Sequence, residues 1–181
     1  MPCIIATGRA LPCKDAIGGI QKVFIANQGT VQKATITNGV ITAFASPGTF
    51  DLYQFDVKSA SGLEQTITTS SDNGTTFFTQ TLTLVLTKLD PLTNALLDKL
   101  IQTRPTIFVL DNNGNYLSVG LTRGCEVNGT ISSGVALGDM NGYSLTITAE
   151  EPMMSQFVTA GLITGNIKAT AGSPTQINPS A

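Results

Sequence analysis

The chain has 181 residues and a mass of 18.9 kDa, with 12 acidic and 10 basic side chains, no histidine and a pI near 4.9. That length suits one domain, or one domain with a tail, and is enough to bury a core. The slight acidity removes the basic footprint of a tight nucleic-acid binder, and the lack of histidine excludes Ser-His-Asp and Cys-His catalysis and the commonest zinc sites.

Charged residues make up 12% of the chain, about half the usual share, while about one residue in seven is threonine. Free soluble domains usually carry more surface charge, so this scarcity calls for its own explanation. Cys3, Cys13 and Cys125 form no C-x-x-C pair and read as small incidental thiols, not as a metal set or a disulfide scaffold. The first residues lack the basic region and apolar stretch of a secretory signal, and no apolar run approaches the ~20 residues of a membrane span.

Period two dominates the chain. Lys22 to Asn27 and Thr30 to Thr37 read as strands, and Asn38-Gly39 is a two-residue hairpin turn into Val40 to Ala45. Ser46-Pro47-Gly48 breaks that strand, and Phe50 to Lys58 resumes an extended pattern with imperfect alternation.

Leu63 to Leu89 contains two strands of about nine and thirteen residues around Asp72-Asn73-Gly74-Thr75. A two-residue Asn73-Gly74 turn would pair Asp72 with Thr75, so that Thr68 faces Thr79, Thr66 faces Thr81 and Glu64 faces Thr83. Leu63, Ile67, Phe78, Leu82 and Leu84 then share the opposite, apolar face, and a one-residue slip would mix the two sets.

Asp90 as N-cap and Pro91 as first helical residue open an amphipathic helix, with Leu92, Leu96 and Leu100 as its core face and Leu97 and Ile101 beside them. Arg104-Pro105 closes it. Further strands are expected at Thr106 to Leu110, Asn115 to Thr122, Arg123 to Ile131 and Gly142 to Ala149, with a turn at Asp111 to Gly114 and a stop at Pro152. Residues 1–162 read as one domain and residues 163–181 as a polar, mobile or partner-ordered tail. The expected class is mainly β: an antiparallel sandwich or partly closed barrel with one long hairpin and one amphipathic helix.

No active site, metal site or cofactor site emerges. Asp111 to Asn115 has oxygen ligands at alternate positions, but Thr122 stands where a calcium loop needs a bidentate glutamate, so the segment reads as a turn. Asn73-Gly74-Thr75 and Asn128-Gly129-Thr130 match the glycosylation pattern and read as turns. Glu150 and Glu151, adjacent on a strand, point to opposite faces and cannot act as an acid/base pair, and nothing requires Asp51, Asp56 and Glu64 to converge. The threonine ladder stands apart. A solvated sheet face normally mixes in lysine and glutamate, and a long exposed edge needs such charges, so their scarcity points to edges covered by other copies of the chain.

The order of these elements resembles a known family. A threonine-rich hairpin runs into the helix at Asp90 to Leu100, then a strand-turn-strand at Ile107 to Gly120, then Gly138-Asp139-Met140-Asn141-Gly142-Tyr143 leading into Ser144 to Thr148. Over roughly residues 20 to 160 this is similar to the tail tube proteins of tailed bacteriophages and the tubes of contractile injection systems. The resemblance implies a virion protein, assembled in the host cytoplasm, whose subunits form hexameric rings that stack into a hollow tube. Hairpins of neighbouring subunits would join into a β-barrel around a lumen through which the genome passes.

On that resemblance the hairpin Leu63 to Leu86 supplies lumen strands, and the lumen-facing set is Glu64, Thr66, Thr68, Thr79, Thr81 and Thr83. The helix would pack outside the barrel, and a second lumen hairpin would come from Thr30 to Ala45 or from the segment around Phe50. The implied partners are other copies of the chain and other tail proteins, with DNA passing unbound and no membrane involved. A tail terminator, baseplate or head-decoration protein is the alternative within the virion. A carbohydrate-binding module would want exposed aromatics, and the chain has no tryptophan and three tyrosines.

Overall fold

The computed structural model describes residues 8–11, 13–27, 29–31, 34–45, 50–57 and 60–168. Its strands form two sheets, with no closed barrel among the described residues. The first sheet contains β1 (Ile20–Ala26), β2 (Ala34–Thr37), β3 (Val40–Phe44), β4 (Leu52–Asp56), β7 (Thr106–Asp111), β8 (Tyr116–Val119) and β11 (Phe157–Val158). Their order across it is β2-β3-β11-β8-β7-β1-β4. The second sheet, in the order β5-β6-β10-β9, contains β5 (Gly62–Ser70), β6 (Thr75–Thr87), β9 (Glu126–Ser132) and β10 (Gly142–Glu151). Two helices complete the fold, α1 (Pro91–Ile101) and α2 (Ala160–Thr164).

The sheets face each other across one core: Val23, Ile25, Ile107 and Val109 from the first meet Leu82, Leu84, Tyr143, Leu145 and Ile147 from the second. A second cluster covers the far side of the first sheet, where Phe24, Ile41, Leu52 and Phe108 pack with Val158 and Ile163. Burial on both faces is why Val23 to Ala26 of β1 and Ile107 to Leu110 of β7 read as continuous apolar runs without alternation. Ile163 is fully buried, and Leu52 exchanges backbone hydrogen bonds with Asn166 and Lys168. The packed domain therefore continues past residue 162 to Lys168, and the rest of the expected tail lies outside the described residues.

The turns at Asn38-Gly39 and Asn73-Gly74 differ. At Asn38-Gly39 both residues are left-handed (φ 52° and 79°), and the two-residue turn pairs Thr37 with Val40. At Asn73-Gly74 only Gly74 has positive φ (61°), so the primed turn does not form. The connection takes four residues, the Asn73 amide donates to Ser70 Oγ, and Ser70 pairs with Thr75. The register is two residues from the expected one: Glu64 faces Thr81, Thr66 faces Thr79 and Thr68 faces Phe77. A slip of two preserves which residues share a face.

Three further expectations change. The strand after Asp111 to Gly114 stops at Val119 and the next begins at Glu126, because residues 120–125 turn around the Glu151 carboxylate, which accepts from the Thr122 and Arg123 amides. Thr30 lies in a turn and β2 begins at Ala34; Ser46-Pro47-Gly48 lies outside the described residues. In α1 the Asp90 carboxylate caps the Thr93 amide as expected, but Leu97 is the buried leucine, with Leu96 and Leu100 half-buried and Leu92 50% exposed. The buried Tyr143 hydroxyl sets the rotation of the helix. It accepts from the Asp90 amide and lies 2.8 Å from Asn94 Oδ1, which turns Leu92 outward.

Candidate functional site: a hydroxyl face between two free edges

The four-stranded sheet is regular, without a bulge in any of its three pairings. Its registers assign every side chain to a face. One row across the sheet is Glu64, Thr81, Thr148 and Glu126, and the next is Gly62, Thr83, Thr146 and Asn128. Toward one end follow Val85, Ser144 and Thr130, then Thr87, Gly142 and Ser132; toward the other, Thr66, Thr79 and Glu150, then Thr68 and Phe77. The strand positions of this face are mostly hydroxyls, with one amide, three carboxylates, Val85 and the 37% exposed Phe77, and no lysine or arginine. At the β9 corner Arg104 pairs with Glu126 at 3.2 Å, and Arg123 lines the same hollow as Thr148 and Glu150. Glu64, Thr66, Thr68, Thr83, Thr146 and Glu150 are exposed on it, while Thr79 and Thr81 are half-buried.

The opposite face looks into the sandwich. Leu82 and Leu84 are buried there, Leu63 and Phe78 are half-buried, and Ile67 is 59% exposed. Ile67 departs from its expected core role: it lies on the edge strand β5, in the last row that reaches β10, level with Phe78 and Glu151.

Both sides of this sheet end in a free strand, β5 on one and β9 on the other. Among the described residues no backbone hydrogen bond uses the outer edge of either. Each edge strand carries one charged residue, Glu64 in β5 and Glu126 in β9, and neither contains proline or lysine. These are edges without the usual protection against pairing.

Sequence reasoning found the β5–β6 half of the face and missed the other half. The expected sources of a second hairpin were Thr30 to Ala45 and the segment around Phe50; the strands found there, β2, β3 and β4, lie in the other sheet, and β9 and β10 complete this one. Asn128-Gly129-Thr130, read as a turn, is the middle of β9. The alternation of Gly142 to Ala149 was the available signal, since it sets Ser144, Thr146 and Thr148 on one side.

The remaining acidic residues do not converge. Asp51 pairs with Lys168 at 3.3 Å, Asp56 lies 3.8 Å from Lys22, and Glu64 is in the other sheet. Glu150 is exposed on the hydroxyl face, whereas Glu151 is buried on the opposite one. Asp111 is consumed by its own turn: its carboxylate accepts from the amides of Asn113 and Asn115, at 2.9 and 2.7 Å, and from the Asn115 side chain. Burial opposes ionisation there, but these bonds outweigh it and hold Asp111 below the usual carboxylate value of 3.8. Among the described residues no cluster of His, Cys, Asp or Glu could hold a metal ion, and no helix is long and apolar enough to cross a membrane.

Comparison of the chain with protein-family models, curated proteins and solved structures gives no match.

Proposed function

We propose that this protein is the subunit of a phage-type tail tube, in which the hydroxyl face lines the conduit and the free edges of β5 and β9 join neighbouring subunits into a ring. The observation that carries this reading is an even-stranded antiparallel sheet, open at both edges, with one face lined mainly by hydroxyls and without lysine or arginine on its strands. Because the strands alternate in direction, β9 of one copy and β5 of a copy rotated about the ring axis run antiparallel, so the pattern continues without interruption.

The dimensions suit a channel. Six such sheets would supply about 24 strands, which at ~4.8 Å spacing and ~45° tilt close into a barrel about 50 Å across its backbone. Barrels of about 16–18 strands already enclose water. The lining chemistry suits passage: cations would bind phosphates with salt-dependent strength and hold the DNA, whereas hydroxyls stay wet and scattered carboxylates repel a polyanion.

Negative-stain microscopy of the concentrated protein tests the reading. Rings or tubes with a central channel are expected, and a species that stays monomeric at high concentration overturns it.

A further inference from the structure

The proposed ring leaves open how one edge meets the next, and four features of the sheet narrow the choice. The first is hydrogen-bond phase. Along any row of an antiparallel sheet, hydrogen-bonded and non-hydrogen-bonded pairs alternate. With four strands, the hydroxyl-face residues of β5 and β9 are therefore in the same phase: both sets direct their backbone groups outward, or both inward. Pairing hydroxyl-face residues with hydroxyl-face residues satisfies the ladder and keeps both faces continuous, and a one-residue slip does neither.

The second feature is length: the seven residues of β9 lie wholly within the nine of β5 when Thr66 faces Asn128 or Thr130, and overrun Ser70 when it faces Ser132. The third is stagger. Measured along β6, the middle of β5 (Thr66) is level with Thr79, and the middle of β9 (Gly129) is level, through Leu145, with Leu84. The strands thus climb five residues in three steps, about 1.7 per step, which corresponds to a tilt of about 50°. Continuing this climb brings Thr66 of the next copy closest, among positions of the same phase, to Thr130; Asn128 would reverse the step and Ser132 would nearly double it.

The fourth feature is shape. Gly129 faces the core side between Val127 and Ile131, and a Cβ there would lie 2.6 Å from the Ser144 carbonyl oxygen and 2.7 Å from Leu145 Cδ2. The position is held as bare backbone beside Ile131, which is 60% exposed although it points to the core side. On the opposite edge Ile67, on the same side of the sheet, is 59% exposed.

Resting on the ring reading above, we infer that β9 of one copy pairs antiparallel with β5 of the next in the register that sets Thr66 opposite Thr130 and Ile67 opposite Gly129. Ile67 then covers the bare glycine backbone and meets Val127 and Ile131 on the diagonals. Glu64 falls opposite Ser132 and Glu126 opposite Ser70, so no like charges face each other. The contact is heterologous, and every copy offers both halves.

Cysteine crosslinking of the full chain in a Cys3→Ser, Cys13→Ser background tests the register. Oxidised Thr66→Cys/Thr130→Cys protein should give a ladder of covalent multimers ending at the closed ring, and each single variant at most dimers. Thr66→Cys/Asn128→Cys and Thr66→Cys/Ser132→Cys share the same phase and should crosslink about tenfold more slowly, because diagonal positions fall outside disulfide range. A ladder dominated by either of these pairs overturns the register and leaves the ring standing. Rings in micrographs with no ladder from any pair overturn edge pairing, and the absence of both rings and ladders overturns the ring reading itself. As a second readout, Ile67→Asp should keep the wild-type melting temperature of the dissociated subunit and abolish the ladder, whereas Ile67→Val keeps it; an Ile67→Asp chain that still forms the ladder counts against the Ile67–Gly129 fit.

Discussion

Tyr143→Phe isolates the contact that orients α1. The ring of Tyr143 stays in place, so no cavity forms and the apolar burial is unchanged; only the hydroxyl is lost. That hydroxyl accepts from the Asp90 amide at 3.1 Å and lies 2.8 Å from Asn94 Oδ1 and 3.1 Å from the Asp90 carbonyl oxygen, from within a fully buried side chain. Asn94 is exposed and can turn to water, whereas the Asp90 amide is half-buried and loses its acceptor. With about 1 kcal/mol for each hydrogen bond and a partial desolvation penalty on the amide, the loss should be about 1.5–2.5 kcal/mol. For a chain of this size that lowers the melting temperature by about 4–8 °C. Urea and thermal denaturation followed by circular dichroism would measure it, and combining the change with Asn94→Ala should show coupling, because the two side chains share one bond. A loss below about 0.5 kcal/mol would refute the claim that Tyr143 pins the helix.

Thr66→Lys/Thr81→Lys should leave folding intact and impair genome passage, because two cations per subunit would grip phosphates; particles that eject DNA normally would show that this face is not the lining. Gly142→Ala should destabilise by about 3 kcal/mol or more, or prevent folding, since the new Cβ would collide with the Leu86 carbonyl oxygen; denaturant titration checks this. The Cys125 thiol is pushed up to about 12 by burial and then by the Glu151 carboxylate, so in a Cys3→Ser chain iodoacetamide at pH 8 should label the exposed Cys13 and spare Cys125 until the protein unfolds. Because its folded value is depressed, ionised Asp111 stabilises the protein above the ordinary carboxylate value, and this contribution fades as the pH falls through the lowered one. Asp111→Ala should therefore lower the urea midpoint at pH 7, with the difference from wild type shrinking as the pH falls below the ordinary carboxylate value.

Period two, the Asp90-Pro91 cap and the leucine spacing were enough to read a mainly β chain with one amphipathic helix, because these are local signals that need no partner to interpret. The assignment of Thr66, Thr68, Thr79 and Thr81 to one face was legible for the same reason: alternation is a property of each strand. The pairing of Thr66 was not. It depended on whether Asn73 would adopt a left-handed conformation, and Asn38-Gly39 and Asn73-Gly74 resolve that choice differently. The outward turn of Leu92 was likewise hidden, since a hydroxyl 49 residues from Asn94 decides the rotation of the helix.

What the sequence determined by itself is therefore the alternation within each strand, and with it the scarcity of charge where threonine lines one side. Which strands become neighbours only the tertiary structure decided. β9 and β10 lie far along the chain from β5 and β6, and nothing local marks Asn128, Thr130, Ser144 and Thr146 as continuing the row begun by Glu64 and Thr66. Packing brought them together: the apolar sides of these four strands, from Leu63 to Ile147, bury against the first sheet, and their hydroxyl sides are left as one continuous face.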